Sequence, residues 1–261
     1  MLPRRIVLLV GLALLAATQA AAQPAYRRII IQEQAHPALR AAAQIIARRL
    51  SLPEGGIETV AAPALPAGGE IVLVAAPGAP AHLQLLGAKA KTLRHDGYMI
   101  VFRDGGALIY GLRPRSLLYA AGDWRLWKDK ASGTFVREPD FAIRTGQYDE
   151  SRSVAEYVAE LGVNALIGKP NDAVVTLKTT LPEVYQQLSP QEQARLDRGR
   201  AERMKQNLAF ARACHDADVP FYAFLYGNDF TLWSPALYQA ALKAYPSIKG
   251  TPAPASWEKA Y

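Results

Sequence analysis

The chain has 261 residues, half of them apolar and a fifth charged, the profile of a folded globular protein and not of a disordered or fibrous one. Its net charge is +7; without Arg4 and Arg5, 28 basic residues face 23 acidic ones, spread over Arg27-Arg28, Arg48-Arg49, Arg113/Arg115 and Arg195 to Arg203. A nucleic-acid protein gathers such charge on one surface, so that class is set aside, and the single cysteine, Cys214, rules out an internal disulfide.

The chain opens with Arg4-Arg5, an apolar run from Ile6 to Ala17, and the small residues Ala20-Ala21-Ala22. A basic start, a short apolar core and an A-x-A site predict a cleavable secretory leader over residues 1–22. About a dozen apolar residues are too few for a spanning helix, which needs roughly 20. The expected location is therefore secreted or periplasmic, with no membrane contact once the leader is removed.

Residues 23–130 read as a small α+β sandwich. Arg28-Ile29-Ile30-Ile31 suits a buried strand, and the apolar spacing of Leu39, Ala42, Ala43, Ile46 and Leu50 predicts a helix over 38–50. Ile71 to Ala75 is a second buried strand, followed by a short helix around His82 to Leu86. Strands over 97–102 and 107–110 flank Arg103-Asp104-Gly105-Gly106, a hairpin signal. A helix is expected from Arg115 to Trp127, with Leu117, Leu118, Ala121, Trp124 and Leu126 as its apolar stripe. Mixed helical and hairpin connections favour a sandwich over a doubly wound sheet. Lys128 to Glu138 is polar and reads as a linker.

From residue 139 onward strands alternate with helices. The expected order is a strand at Phe141 to Arg144, a helix capped by Ser151 and ended by Gly162, and a strand at Val163 to Ile167. A polar excursion from Lys169 to Gln187, a helix from Gln191 to Ala217 and a strand at Val219 to Tyr226 follow. This is how a (β/α)8 barrel begins, and three strands cannot close one. The expected fold class is thus α/β: a sandwich domain over 23–130, then the first strand–helix units of an incomplete (β/α)8 barrel over 139–261.

Four segments carry a family resemblance: "HDGYMIVFRDGGALIYGLRPRSLLYAAGDWRLW" (His95 to Trp127), "PDFAIR" (Pro139 to Arg144), "VAEYVAELGVNALI" (Val154 to Ile167) and the tail "YPSIKGTPAPASWEKAY". In this order they resemble the N-terminal region of secreted glycoside hydrolases of the α-glucuronidase type, and also β-hexosaminidases, with the former favoured. The resemblance implies a non-catalytic domain, the entry into a catalytic barrel, and catalytic carboxylates from later strands, so that they fall beyond residue 261. The chain departs from the pattern after Arg144, where Thr145-Gly146-Gln147-Tyr148-Asp149-Glu150 replaces the Arg-Gly, Asp and His-Arg-like cluster.

Glycoside hydrolysis needs two carboxyl groups flanking the scissile bond, and barrel sites lie at the C-terminal ends of strands. Asp149 and Glu150 follow the first candidate strand; they are substrate contacts or acids that favour the positive end of the next helix. Asn228 and Asp229, after the third strand, offer sugar hydrogen bonds or simple turn chemistry. Lys169 is a uronate partner or a solvated cation. Tyr148, Tyr226 and Trp233 are candidate stacking residues. No catalytic residue is assigned within the chain. With His36, His82, His95 and His215 scattered and no H-x-x-x-H, C-x-x-C, phosphate-loop or G-x-S-x-G motif, no metal and no cofactor are expected. Cys214 falls in a helical pattern, as a small buried hydrophobe or, less simply, a nucleophile.

The expected function is that of the N-terminal part of a secreted glycoside hydrolase with a carbohydrate substrate. The alternatives are a non-catalytic exported carbohydrate-binding or accessory protein and an unrelated periplasmic α/β binding protein.

Overall fold

The computed structural model describes residues 26–148, 151–168, 182–223, 235–244 and 246. The chain divides into two compact units. One holds the residues up to Leu166 with Ala213–Pro220, and the other Ile167–Arg212 with the residues from Phe221 on.

The first unit is built on β1 (Arg28–Gln32), α1 (Pro37–Arg49), β2 (Ile57–Val60), β3 (Glu70–Ala75), α2 (Pro80–Leu86), α3 (Lys89–Thr92), β4 (Tyr98–Arg103) and β5 (Gly106–Gly111). It continues with α4 (Ser116–Gly122), α5 (Trp124–Trp127) and β6 (Gly133–Arg137). The six strands form one sheet in the order β2-β1-β3-β5-β4-β6, parallel from β2 to β5 and antiparallel through β4 and β6. Register assigns the two faces. Ile29, Ile71, Ala107, Ile109 and Ile100 share one face, against which α1 and α4 pack. Ile30, Val72, Leu108, Tyr110 and Met99 share the other and cluster with Leu86, Ala90 and Leu93 of the α2–α3 segment. Because both faces are covered, the central strands read as unbroken apolar runs instead of alternating ones.

The hairpin strands extend through Arg103 and Gly106, leaving Asp104-Gly105 as the turn, both at positive φ. A two-residue turn of this kind matches the twist of its strands. The helix expected over 115–127 is two helices broken at Asp123, whose carboxylate is drawn to the sheet by the Tyr98 hydroxyl (2.7 Å) and Arg137 (3.2 Å). The stretch expected as a linker, Lys128 to Glu138, carries β6, paired with β4. It reads as polar because it is the sheet's edge, where only Phe135 and Val136 turn inward. β2, the other edge, is mostly exposed for the same reason.

Beyond β6 come β7 (Thr145–Gln147), α6 (Val154–Leu161) and β8 (Ala165–Gly168), then α7 (Pro182–Gln186), α8 (Pro190–Asp216), β9 (Phe221–Ala223) and α9 (Pro235–Ala244). Among the described residues β7 neighbours β8 in a small sheet. The strand expected at Phe141 to Arg144 begins instead after Arg144. The Asn164 side chain accepts the Arg144 N–H at 2.7 Å and donates to Ala142 O at 2.6 Å, replacing a strand partner there. Ser153, not Ser151, caps α6, because Glu156 three residues on completes a capping box; Gly162 ends the helix in the left-handed conformation as expected. Within the first unit α6 packs on α1 and α4. A Cβ on Gly122 would lie 1.7 Å from Ala159 O, so α4 and α6 approach this closely only because residue 122 has no side chain. Among the described residues of the second unit, Val184, Tyr185, Leu188, Ala240 and Ala241 form a buried cluster, flanked by Leu196 and Ala244.

Candidate functional site

The residues expected to touch substrate, Asp149, Glu150, Lys169, Asn228 and Asp229, all lie outside the described residues, as do Tyr226 and Trp233. What the structure does describe is the backbone that leads to the first pair, and the group that fixes it.

That group centres on Asp96, 1% exposed, in the turn that leads into β4. Its Oδ2 accepts from Arg115 Nε at 3.0 Å, from the Tyr119 hydroxyl at 2.8 Å and from Arg144 Nη2 at 3.0 Å; Oδ1 accepts from the same Arg144 nitrogen at 3.0 Å. The two guanidinium groups are largely buried. Burial alone would push the Asp96 carboxyl up, but the hydrogen bonds from Tyr119, Arg115 and Arg144 outweigh it and hold the group below the ordinary carboxylate range. Burial and the Asp96 charge push the Tyr119 hydroxyl up, so it stays protonated and donates.

Both arginines carry the linkage onward. Arg144 Nε donates to Gly162 O at 2.6 Å and Nη1 to Phe141 O at 2.7 Å, while its guanidinium lies 5.3 Å from the Tyr119 ring centroid. Arg115 Nη1 donates to Asp218 O at 2.7 Å, and its backbone N–H to Asp218 Oδ2 at 3.3 Å. One buried carboxylate thus pins the start of β4, the first turn of α4, the entry to β7 and the Ala213–Pro220 segment. Directly past β7, Gln147 O accepts from the Tyr157 hydroxyl at 2.5 Å. Tyr148 stands edge-on to Tyr157, ring centroids 5.7 Å apart, and its hydroxyl donates to Arg152 O. The chain is held on both sides of the point where Asp149 follows.

Chemically, Asp96 is saturated with donors and kept ionised; it neither gives nor takes a proton near neutral pH, and its role is to position. Cys214 is buried, and burial pushes its thiol up to about 12, which suits a packed hydrophobe and not a nucleophile. Among the described residues no group of three or more His, Cys, Asp or Glu side chains could hold a metal ion. No described helix is long and apolar enough to cross a membrane.

The Asp96 cluster was not singled out from sequence, although Arg144 stood in a quoted motif. A signal existed: in residues 71–103 Asp96 is the one acid, set directly before the apolar strand Tyr98 to Phe102. An acid at the mouth of a buried strand calls for a buried cation.

No family model and no curated protein matches the chain. Among solved structures it is similar to the β-N-acetylhexosaminidase from Bacteroides fragilis NCTC 9343, at 14% identity and a TM-score of 0.44, over 85% of this chain and 43% of that one. It is also similar to the N-acetyl-β-hexosaminidase of Streptomyces plicatus, at 16% identity and a TM-score of 0.44, over 89% of this chain and 48% of that one. A third is an enzyme targeting pectin rhamnogalacturonan II, at 9% identity, a TM-score of 0.43, and 84% and 29% coverage. The chain spans less than half the length of each of these glycoside hydrolases.

Proposed function

We propose that this chain is the N-terminal part of an exported glycoside hydrolase, with a non-catalytic first sheet and the opening strand–helix units of a catalytic barrel. The observation that supports this reading is where the resembling segments fall. His95 to Trp127 forms the β4–β5 hairpin with α4 and α5, Pro139 to Arg144 leads into β7, and Val154 to Ile167 forms α6 and enters β8. The buried pair Asp96–Arg144 joins the first two of these segments.

In this reading Asp149, Glu150, Lys169, Asn228 and Asp229, each past the end of a strand in the sequence, are substrate contacts. The catalytic carboxylates come from later strands. The substrate is a glycoside; an α-glucuronidase-like enzyme would use the Lys169 cation for a uronate carboxylate, whereas a hexosaminidase-like one would need amide recognition. The leader over residues 1–22 would deliver the protein to the periplasm or outside the cell.

The test begins with the gene beyond Tyr261. The longer product, if the frame continues, is assayed on aryl N-acetyl-β-hexosaminides and on glucuronoyl xylo-oligosaccharides. Release of sugar, lost on changing carboxylates at later strand ends, supports the reading. An immediate stop codon together with no hydrolysis by the purified chain overturns it and leaves the accessory-protein alternative.

A further inference from the structure

The β6 edge of the first unit carries a cationic, aromatic face. β6 pairs with β4, and the registers Ile100↔Phe135 and Tyr98↔Arg137 put Phe135 and Arg137 on the same side as Tyr98. Trp124, next to Asp123, starts α5 on that side, since Asp123 receives both the Tyr98 hydroxyl and Arg137. The Arg125 guanidinium and the Lys128 ammonium each lie 5.7 Å from the Trp124 ring centroid, and the Lys130 ammonium lies 5.9 Å from that of Phe135. Both rings are partly exposed, and Leu126 beside them is 50% exposed. Asp123 pairs with Arg137 and Asp129 with Lys128, whereas Arg125 and Lys130 form no ion pair among the described residues.

Partly exposed rings offer platforms for the C–H face of a pyranose, and cations beside those rings meet anionic groups projecting from the sugar's edge. We propose that the α5–β6 face of the first unit binds an acidic polysaccharide, a chain of uronate-bearing sugars, and holds it without cutting it. This rests on the carbohydrate reading above and adds to it a place and a ligand charge. An anionic membrane is the poorer fit, because α5 is four residues long and offers one exposed aliphatic side chain, Leu126. A nucleic acid is poorer too, because a phosphate track needs a run of cations, and Arg125 and Lys130 are the two this face leaves unpaired among the described residues.

The purified chain is titrated with an oligogalacturonate and, separately, with a neutral cello-oligosaccharide of equal length, followed by tryptophan fluorescence and calorimetry. The acidic oligomer is expected to bind at least about tenfold more tightly than the neutral one, and to weaken by a similar factor in half-molar salt. Trp124→Ala is expected to weaken it about tenfold, and the paired charge reversal Arg125→Glu with Lys130→Glu at least as much. The charge reversal touches two exposed side chains, so an unchanged melting temperature separates lost binding from lost fold. No binding, equal binding of the neutral oligomer, or affinity unchanged in both variants overturns the proposal. So does tighter binding to phosphatidylglycerol vesicles or to a single-stranded oligonucleotide. Hydrolysis of glycosides by the longer gene product without binding at this face overturns this inference alone. Binding at this face by a chain that never hydrolyses leaves it standing and removes the hydrolase reading.

Discussion

The first unit and the second differ in what holds them together. In the first, the central strands are covered on both faces, and large side chains, among them Trp127, Tyr98, Ile109 and Leu73, are almost fully buried. In the second, the described core is five buried residues contributed by α7, α9 and Leu188. From Pro190 to Arg212, the part of the long helix α8 in this unit, none of the described side chains is fully buried. Apolar burial is the main favourable term in folding, so the packed sheet of the first unit has the means to stand alone. The same packing serves the buried ionic cluster there: a desolvated carboxylate needs a rigid, well-packed surround to keep its donors in place.

The largest effect that could break this comparison comes from Asp96. Asp96→Ala leaves Arg144 buried without its acid and Arg115 with only the longer Asp218 contact (3.6 Å), and is expected to cost about 3–5 kcal/mol, read as a fall in urea midpoint. A loss below about 1 kcal/mol would show that packing alone carries the unit. The pH dependence has a fixed sign. Hydrogen bonds hold the folded Asp96 carboxyl below its ordinary value of about 3.9, so its contribution is fully present above that value and is lost as pH falls through the folded one. The urea midpoint of the parent should therefore drop more steeply between pH 5 and pH 2.5 than that of Asp96→Asn.

Next in size is the contrast between the two cores. Ile109→Ala, in the central strand β5, should cost about 2–5 kcal/mol and lower the main melting transition. Val184→Ala removes less from a smaller cluster, and should leave that transition in place while increasing amide exchange over 182–188. If both shift one common transition equally, the two units fold as one.

Gly122→Ala should cost at least about 1–3 kcal/mol, because its Cβ meets Ala159 O and must push α4 and α6 apart. Melting temperature checks it, and no change would mean that the helices are free to separate. The smallest expected effect is that of Ser153→Ala, which removes the α6 capping box for about 1 kcal/mol. Amide exchange at Glu156 and Tyr157 should rise first.

Much of the fold was legible from local pattern. β1, α1, β3, the hairpin and the two ends of α8 follow from β-branched runs, helical spacing and the Asp-Gly turn, each a property of a few neighbouring residues. The edge strands β2 and β6 were not legible, since an edge exposes most of its side chains and loses the apolar run that marks a strand. The start of β7 was misplaced because Asn164, twenty residues away, takes the backbone groups of Ala142 and Arg144. Of the candidate site, the sequence named residues past the ends of strands but not the cluster that fixes the entry to β7.

By itself, then, the sequence determined the α/β class, the succession of a mixed sheet and strand–helix units, and the hairpin, because these depend on chemistry repeated within a window of a few residues. Only the tertiary structure decided that Asp96, Arg115, Tyr119, Arg144 and Asp218 meet, and that residue 122 must lack a side chain. Such pairings join residues as far as 103 positions apart, and an ion pair between them is set by where the packed sheet and helices place their ends. No local pattern of charge records that placement.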